Sequence, residues 1–288
     1  MIPAKKQNET LLSSTGKPRT PYERRAPRSA CDKLKGAAPP RVQDHAAPAW
    51  GAEVVSSNIV GYEKLNLTAE KFAMSAAQFE LVGGGSGTLS DLFSATDIPY
   101  GTEIRFLNSN GAYEVFKYLE EAYDESIGDE GDFVPGWADV GEEIVKDPVK
   151  VGTGFWVKAP EGYDLTQAGQ VATDATITLT LTPGMFEMVA DPFPEGFNPN
   201  KVTWENLEYG TEIRVLNASG AYEVYKYLEE AYDESIGEEG DFVPGWANVG
   251  EELVSEPIAD VRQGFWIRST ADKPVTITFT NPTSNSGN

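Results

Sequence analysis

The chain has 288 residues, enough for one large domain or two of ordinary size. Its formal net charge of -22 divides into a net +6 over residues 1–50 and a net -28 over residues 51–288. Because so acidic a surface repels phosphate backbones and anionic lipid, nucleic acid is excluded as a partner of residues 51–288. No apolar run approaches the ~20 residues of a membrane span.

The single cysteine and the single histidine, Cys31 and His45, both precede residue 51. Residues 51–288 therefore offer no disulfide, no Cys/His zinc site, no Cys nucleophile and no Ser-His-Asp relay. The chain as given has no apolar run before residue 53 that would serve as a signal peptide. Scattered bases among Pro, Ala and Ser predict that residues 1–52 are a disordered basic tail.

Strand signals dominate the first part of the body. Apolar and polar residues alternate over residues 62–67, and residues 103–108 and 112–119 flank a short turn closed by Gly111, which predicts a hairpin. Residues 88–93 predict one or two turns of helix.

Three further elements follow the hairpin. Leu119, Ala122, Tyr123 and Ile127 have helical spacing, which favours a helix at the start of the acidic stretch, whereas four acids near the C-terminus of such a helix would oppose its dipole. Pro and Gly at the centre of residues 134–137 predict a type II turn. The aromatic run of residues 155–158 predicts another strand.

Most of this pattern is then repeated. Residues 100–145 and 209–254 agree at 39 of 46 positions, and shorter matches extend the repeat on both sides. Threonines alternate with Ile and Leu over residues 176–182, predicting a strand, and residues 200–206 predict a helix that matches the one at 88–93. The domain-sized period predicts two tandem β-domains, at residues 53–172 (repeat 1) and 173–282 (repeat 2), followed by a flexible C-terminus at 283–288.

The predicted fold class is all-β. Each repeat is expected to form an antiparallel β-sandwich or open barrel with one short helix, because six or seven short strands per repeat are typical of such folds.

Short motifs in repeat 1 resemble those of exported bacterial surface β-modules with no established activity. These motifs are Asn58-Ile59-Val60-Gly61-Tyr62, then GTGFW at residues 152–156, then LTQAGQV at residues 165–171; repeat 2 keeps only GFW at residues 264–266. The resemblance implies an exported, extracellular or cell-surface protein whose modules often occur in tandem. It carries over no catalytic residue.

The densest polar constellation is acidic and occurs twice. Seven carboxylates lie within residues 120–132, and the repeat preserves their charge. Close carboxylates repel, so the segment is expected either to stay solvated or to bind Ca²⁺, which takes six to eight oxygen ligands. The spacing is not that of an EF-hand. The candidate metal ligands are Asp124, Asp129, Glu130, Asp132, Asp233, Glu238, Glu239 and Asp241.

Aromatic residues next to these carboxylates suit sugar rings, whose C–H faces stack on aromatic side chains while their hydroxyls meet acids. The alternative is that they belong to the core, where aromatic residues dominate burial. The candidate stacking residues are Trp137, Tyr123, Trp246 and Tyr232.

These features predict a non-catalytic, exported structural or adhesive β-module of a bacterial surface, with calcium as the only candidate cofactor. The alternative is a carbohydrate-binding module, and behind it a glycoside hydrolase that uses a carboxylate pair. The corresponding partners are a polysaccharide or another surface protein.

Overall fold

Antiparallel strands build almost all of the described chain. The structure is a computed structural model and describes residues 60–93, 97–128, 131–236 and 240–283. The predicted tail at 1–52 and residues 284–288 of the predicted C-terminus lie outside this part. The described parts of both repeats belong to one compact unit.

Each repeat contains one three-stranded and one five-stranded sheet. In repeat 1 the elements are β1 (Val60–Leu67), β2 (Ala73–Ala76), β3 (Phe79–Glu80), α1 (Leu89–Leu92), β4 (Glu103–Leu107), β5 (Tyr113–Asp124), β6 (Asp132–Ala138), β7 (Gly154–Lys158) and β8 (Tyr163–Val171). In repeat 2 they are β9 (Thr176–Leu181), β10 (Phe186–Val189), β11 (Thr203–Glu205), β12 (Glu212–Leu216), β13 (Tyr222–Asp233), β14 (Asp241–Ala247), β15 (Phe265–Arg268) and β16 (Val275–Thr280).

The strand orders of the two repeats correspond. Repeat 1 has β1-β8-β3 and β2-β7-β4-β5-β6, and repeat 2 has β9-β16-β11 and β10-β15-β12-β13-β14. The core of repeat 1 joins buried residues of both its sheets, such as Leu67 and Leu165 with Ile104 and Phe155. Two antiparallel sheets therefore face each other across one apolar layer, which confirms the all-β prediction and gives the sandwich form.

The predicted hairpin forms in both repeats. The Asn108 backbone N–H donates to the Ala112 carbonyl at 2.9 Å, and the Asn108 side chain accepts from Ala112 N–H at 3.0 Å. Gly111 closes the turn with a φ of +76°, a conformation that favours glycine. In repeat 2 the Asn217 side chain accepts the equivalent hydrogen bond from the Ala221 backbone N–H.

The helix predictions were right once and wrong twice. Thr88 and Asp91 form a capping box that starts α1 at the predicted place. Residues 203–205 instead form β11, which pairs with β16, so the described part of repeat 2 has no matching helix. The helical spacing from Leu119 onward was misleading because β5 continues to Asp124 through a bulge.

That bulge also explains why the predicted turn at residues 134–137 was wrong. Leu119 pairs with Gly136 and Ala122 pairs with Val134, so two residues of β5 lie opposite Pro135 alone. Proline has no backbone N–H to donate to a neighbouring strand. Pro135 is tolerated because β6 is the last strand of its sheet and because no residue of β5 pairs with Pro135 at the bulge. The segment therefore runs straight through Pro and Gly as a strand.

The two repeats pack directly on each other in a reciprocal way. A Cβ on Gly154 would lie 3.0 Å from the Met188 carbonyl carbon, and a Cβ on Gly264 would lie 2.7 Å from the Ser75 carbonyl oxygen. Gly154 and Gly264 are equivalent positions, so each repeat places the same glycine against the other repeat. The Ala190 N–H also donates to the Gly152 carbonyl at 2.9 Å.

One ion pair across this contact is not reciprocal. Arg262 Nη1 lies 3.4 Å from Glu63 Oε1, and Glu63 is 8% exposed. Burial raises the pKa of Glu63, although the charge and hydrogen bond of Arg262 lower it. Arg262 has a φ of +70°, while its equivalent in repeat 1 is Gly152, with a φ of +84°. Repeat 2 therefore holds an arginine in a left-handed conformation, where it can pair with a buried carboxylate of repeat 1.

We expect Arg262→Gly to lower the free energy of unfolding by about 1–3 kcal/mol. The change leaves the Glu63 carboxylate buried without its partner, a loss reduced by the partial exposure of Arg262 and by about 1 kcal/mol of relieved backbone strain. Denaturant unfolding measures the effect. Adding Glu63→Gln should restore most of the loss, and a double variant as unstable as the single one would contradict the ion-pair explanation.

Candidate functional site

The acidic stretches form the tips of two hairpins, β5–β6 and β13–β14. Asp124 and Asp132 are cross-strand partners at the end of the first ladder, and Asp233 and Asp241 are partners at the end of the second. The first carboxylates of each acidic stretch therefore belong to a strand. The other four candidate ligands, Asp129, Glu130, Glu238 and Glu239, lie outside the described residues.

A lysine neutralises one carboxylate of the first hairpin. Asp124 Oδ1 accepts from Lys146 Nζ at 2.7 Å, and from the Ser126 backbone N–H and hydroxyl at 2.9 and 2.7 Å. The hydrogen bonds from Lys146 and then from Ser126 lower the pKa of Asp124 to about 2. This carboxylate is therefore already occupied by a cationic partner.

The second hairpin keeps the aspartate but lacks the lysine. Asp233 Oδ1 accepts from the Ser235 backbone N–H and hydroxyl at 2.9 and 2.6 Å, which lowers its pKa, and the position of Lys146 is held by Ser255. The difference was visible in the sequence one residue beyond the aligned segment, but only the hairpin fold shows which carboxylate it reaches.

No group of three or more potential ligands converges among residues 60–93, 97–128, 131–236 and 240–283. Calcium binding therefore stays a prediction, and the lysine makes it unequal between the hairpins. Because Ca²⁺ must displace Lys146 in the first hairpin only, we expect the second to bind more tightly.

We expect calcium at ten times its dissociation constant to raise the melting temperature by about 3–5 °C, reversibly on adding EDTA. Differential scanning fluorimetry measures this, with magnesium as the control ion. Asp241→Asn should reduce the shift more than Asp132→Asn. No shift at millimolar calcium would reject the metal prediction.

Two of the four predicted stacking residues are wrong. Trp137 and Trp246 are 0% and 1% exposed, so neither ring can meet a ligand. Trp137 packs with Tyr118 at a ring-centroid distance of 5.5 Å and belongs to the core. The buried alternative applies because these tryptophans occupy the inward positions of β6 and β14. Tyr123 and Tyr232 are half-buried, each 5.6 Å from a phenylalanine ring across its hairpin.

A different set of aromatic side chains lines a pocket on the outer face of the five-stranded sheet of repeat 1. Phe72, Arg105, Tyr113 and Trp156 surround a cavity of about 340 Å³, which we call the aromatic pocket. The Phe72 and Trp156 rings meet edge to face, with centroids 6.4 Å apart and planes at 75°. The Arg105 guanidinium lies 4.4 Å from the Phe72 ring centroid, which is a cation-π distance.

The register of the sheet places these residues together. Arg105 on β4 pairs with Trp156 on β7, and Trp156 pairs with Met74 on β2. Cross-strand partners share a face, and the intervening residues, such as Ile104 and Val157, point into the core. The pocket is therefore a product of strand alternation.

Repeat 2 carries the equivalent side chains, which we call the second cluster: Phe186, Arg214, Tyr222 and Trp266. The Phe186 and Trp266 rings are 6.1 Å apart at 87°, and the Arg214 guanidinium lies 4.7 Å from the Phe186 centroid. Repeat 2 thus reproduces the side-chain arrangement of repeat 1 at the equivalent positions.

The aromatic pocket and the second cluster adjoin where the repeats meet. Tyr113 of repeat 1 contacts Trp266 of repeat 2 edge to face, with centroids 6.5 Å apart. Burial raises the pKa of Tyr113; hydrogen bonding with Trp156 lowers it, and Tyr222 of repeat 2 raises it. Clefts where two packed parts of a protein meet are common places for ligand pockets.

Both arginines are paired inside their own strands. Arg105 Nε donates to Glu103 Oε1, and Arg214 Nε donates to Glu212 Oε1. Each of these arginines is therefore matched by a carboxylate, and its guanidinium group remains beside the phenylalanine ring of its cluster.

Sequence reasoning placed Trp156 in a predicted strand, but it did not select Phe72, Arg105 or Tyr113 as candidate site residues. The signal available in the sequence was the alternation of side chains along a strand. In EIRFL at 103–107, Arg105 lies between two apolar residues and therefore points away from the core. Alternation alone does not reveal which strands are neighbours, so the cluster required the sheet order.

Comparisons with protein-family models, with curated proteins and with solved structures find no match. The described part of the chain contains no helix with the length and apolarity that a membrane crossing requires.

Proposed function

We propose that this chain is a non-catalytic adhesive or structural β-module exposed on a bacterial surface. The observation that carries the proposal is the pair of equivalent aromatic-arginine clusters brought side by side at the contact between the repeats. A scaffold that presents two like clusters together suits attachment, because two linked weak contacts bind far more tightly than one. The resemblance of residues 152–156 and 165–171 to exported surface modules supports the same conclusion.

The chemistry of the aromatic pocket favours binding over catalysis. Its lining consists of three aromatic residues and one arginine. The Tyr113 hydroxyl is protonated at neutral pH, since burial raises its pKa further above the ordinary tyrosine value, and the Glu103 carboxylate is engaged by Arg105. Hydrolysis by a carboxylate pair needs a proton donor and a base at a fixed separation, which these groups do not supply.

Surface labelling of the organism that carries the gene tests the location. Antibodies against the full chain should stain intact cells, and brief protease treatment of intact cells should remove the signal. Staining that appears only after lysis would overturn the proposal. An abundant cytoplasmic protein stained in parallel is the control for cell integrity.

A further inference from the structure

The aromatic pocket offers a ligand both ring surface and polar atoms. Phe72 and Tyr113 are 39% and 42% exposed, and Tyr222 of the second cluster is 45% exposed. We propose that the aromatic pocket and the second cluster bind neutral sugar units of a polysaccharide, an inference that rests on the proposed adhesive function and gives it a ligand class.

The aromatic rings of the pocket provide surfaces on which a sugar ring can stack. The Phe72 and Trp156 rings stand at 75°, so they form two walls of a corner, and Tyr113 stands at 79° to Trp266 at its far side. A pyranose ring has apolar C–H faces and a polar rim, so it can lie against one aromatic wall with its rim directed away from it. The cavity volume of about 340 Å³ lies within the range of ligand pockets.

The pocket also supplies polar atoms that can hydrogen-bond to sugar hydroxyls. A sugar hydroxyl both donates and accepts a hydrogen bond. Arg105 lines the pocket and offers guanidinium N–H donors beyond the Nε that donates to Glu103, and the Tyr113 hydroxyl can donate or accept. Arg214, whose Nε donates to Glu212, and Tyr222 carry the same groups in the second cluster.

Charge decides between neutral and acidic sugars. Residues 51–288 carry a net charge of -28, and each cluster arginine is already matched by a glutamate. An acidic polysaccharide would therefore meet a repulsive field, against which Arg268, 5.6 Å from the Phe186 ring centroid, is a single additional cation. Neutral polysaccharides experience no such repulsion.

One indole nitrogen at the junction has no partner. Trp266 Nε1 is buried and, within the described residues, makes no hydrogen bond. Its counterpart Trp156 has the Tyr113 hydroxyl within reach. Because a buried donor without a partner is costly, a ligand oxygen held between Tyr113 and Trp266 would remove that cost.

Retention of the full chain on insoluble polysaccharides tests the proposal. The probes are cellulose, chitin, mannan and β-1,3-glucan, with alginate and hyaluronan as acidic polysaccharides and poly-L-proline as a competing peptide. We expect binding to at least one neutral polysaccharide. Tyr113→Ser and Tyr222→Ser should each weaken it about tenfold, and the double variant by more.

Tyr100→Ser is the matched control, because Tyr100 is 50% exposed and stacks on Tyr118 away from the pocket. It should bind as the unchanged chain does, and all variants should keep their melting temperature. Tyr113→Leu, which keeps the apolar volume, should still lose affinity. No retention on any neutral probe, preference for an acidic one, displacement by poly-L-proline, or unchanged binding by Tyr113→Ser would overturn the inference. If the sugar-binding inference fails in this way, surface staining of intact cells would still support the proposed adhesive function.

Discussion

Asp191→Asn is expected to raise the free energy of unfolding at pH 8 by about 2–4 kcal/mol. Asp191 is 5% exposed, and burial raises its pKa to about 7, although its Oδ1 accepts from the Phe193 backbone N–H at 2.9 Å. Each unit of pKa shift corresponds to about 1.4 kcal/mol between the two protonation states. Asparagine keeps the acceptor and removes the buried charge.

The pH dependence has a definite sign. An aspartate in the unfolded chain ionises near pH 4, whereas in the folded chain this one ionises near 7. Between these values the folded state holds the additional proton, so the contribution of Asp191 to stability is greatest below pH 4 and is lost as the pH rises through 7. Asp191→Asn should abolish this component.

Denaturant unfolding from pH 4 to pH 8 measures the effect. Glu195→Gln is the matched control, because Glu195 is an exposed acid four residues away that lines the same cavity and also raises the pKa of Asp191. It should change stability by less than about 0.5 kcal/mol. Equal effects of the two substitutions would show that net charge, and not burial, is responsible.

Gly264→Val is expected to lower the free energy of unfolding by about 2–3 kcal/mol. A Cβ at Gly264 would lie 2.7 Å from the Ser75 carbonyl oxygen and 3.0 Å from Met74 Cγ, closer than side-chain carbons approach such atoms. The carbonyl belongs to the backbone of repeat 1, so the repeats must separate to relieve the overlap. Overpacking of this kind costs about 1–3 kcal/mol.

Gly162→Val provides the comparison, because a Cβ at the exposed Gly162 has as its nearest neighbour the Leu67 carbonyl oxygen, at 3.8 Å. Thermal and denaturant unfolding should show little change for Gly162→Val. Because Gly154 makes the reciprocal contact, Gly154→Val should resemble Gly264→Val. Similar stability for the Gly162 and Gly264 variants would mean that the repeats do not depend on this close contact.

The all-β class could be predicted from the sequence because alternation is a local signal. Residues 176–181 alternate regularly and form β9 as predicted. The failures occurred where a non-local interaction overrode a local preference. Pro135 and Gly136 are turn residues by preference, yet they lie in β6 because β5 has a bulge opposite them.

The site was harder to predict than the fold, and for a related reason. The acidic stretch is dense in the sequence, but Lys146 approaches Asp124 only after the chain has formed the β5–β6 hairpin and returned. Phe72, Arg105, Tyr113 and Trp156 come from segments dispersed over more than 80 residues. The order of the strands in the sheet brings these residues together, and no single segment of the sequence determines that order.

The bulge opposite Pro135 has a consequence for assembly. Two near-identical hairpins in one chain are natural substitutes for each other, so a newly made chain risks exchanging strands between its copies or with another chain. The terminal strands β6 and β14 each carry a proline at the same place, Pro135 and Pro244, where an incoming strand would need a donor. The prolines that these bulges accommodate thus make both outer edges poor templates for misassembly and aggregation.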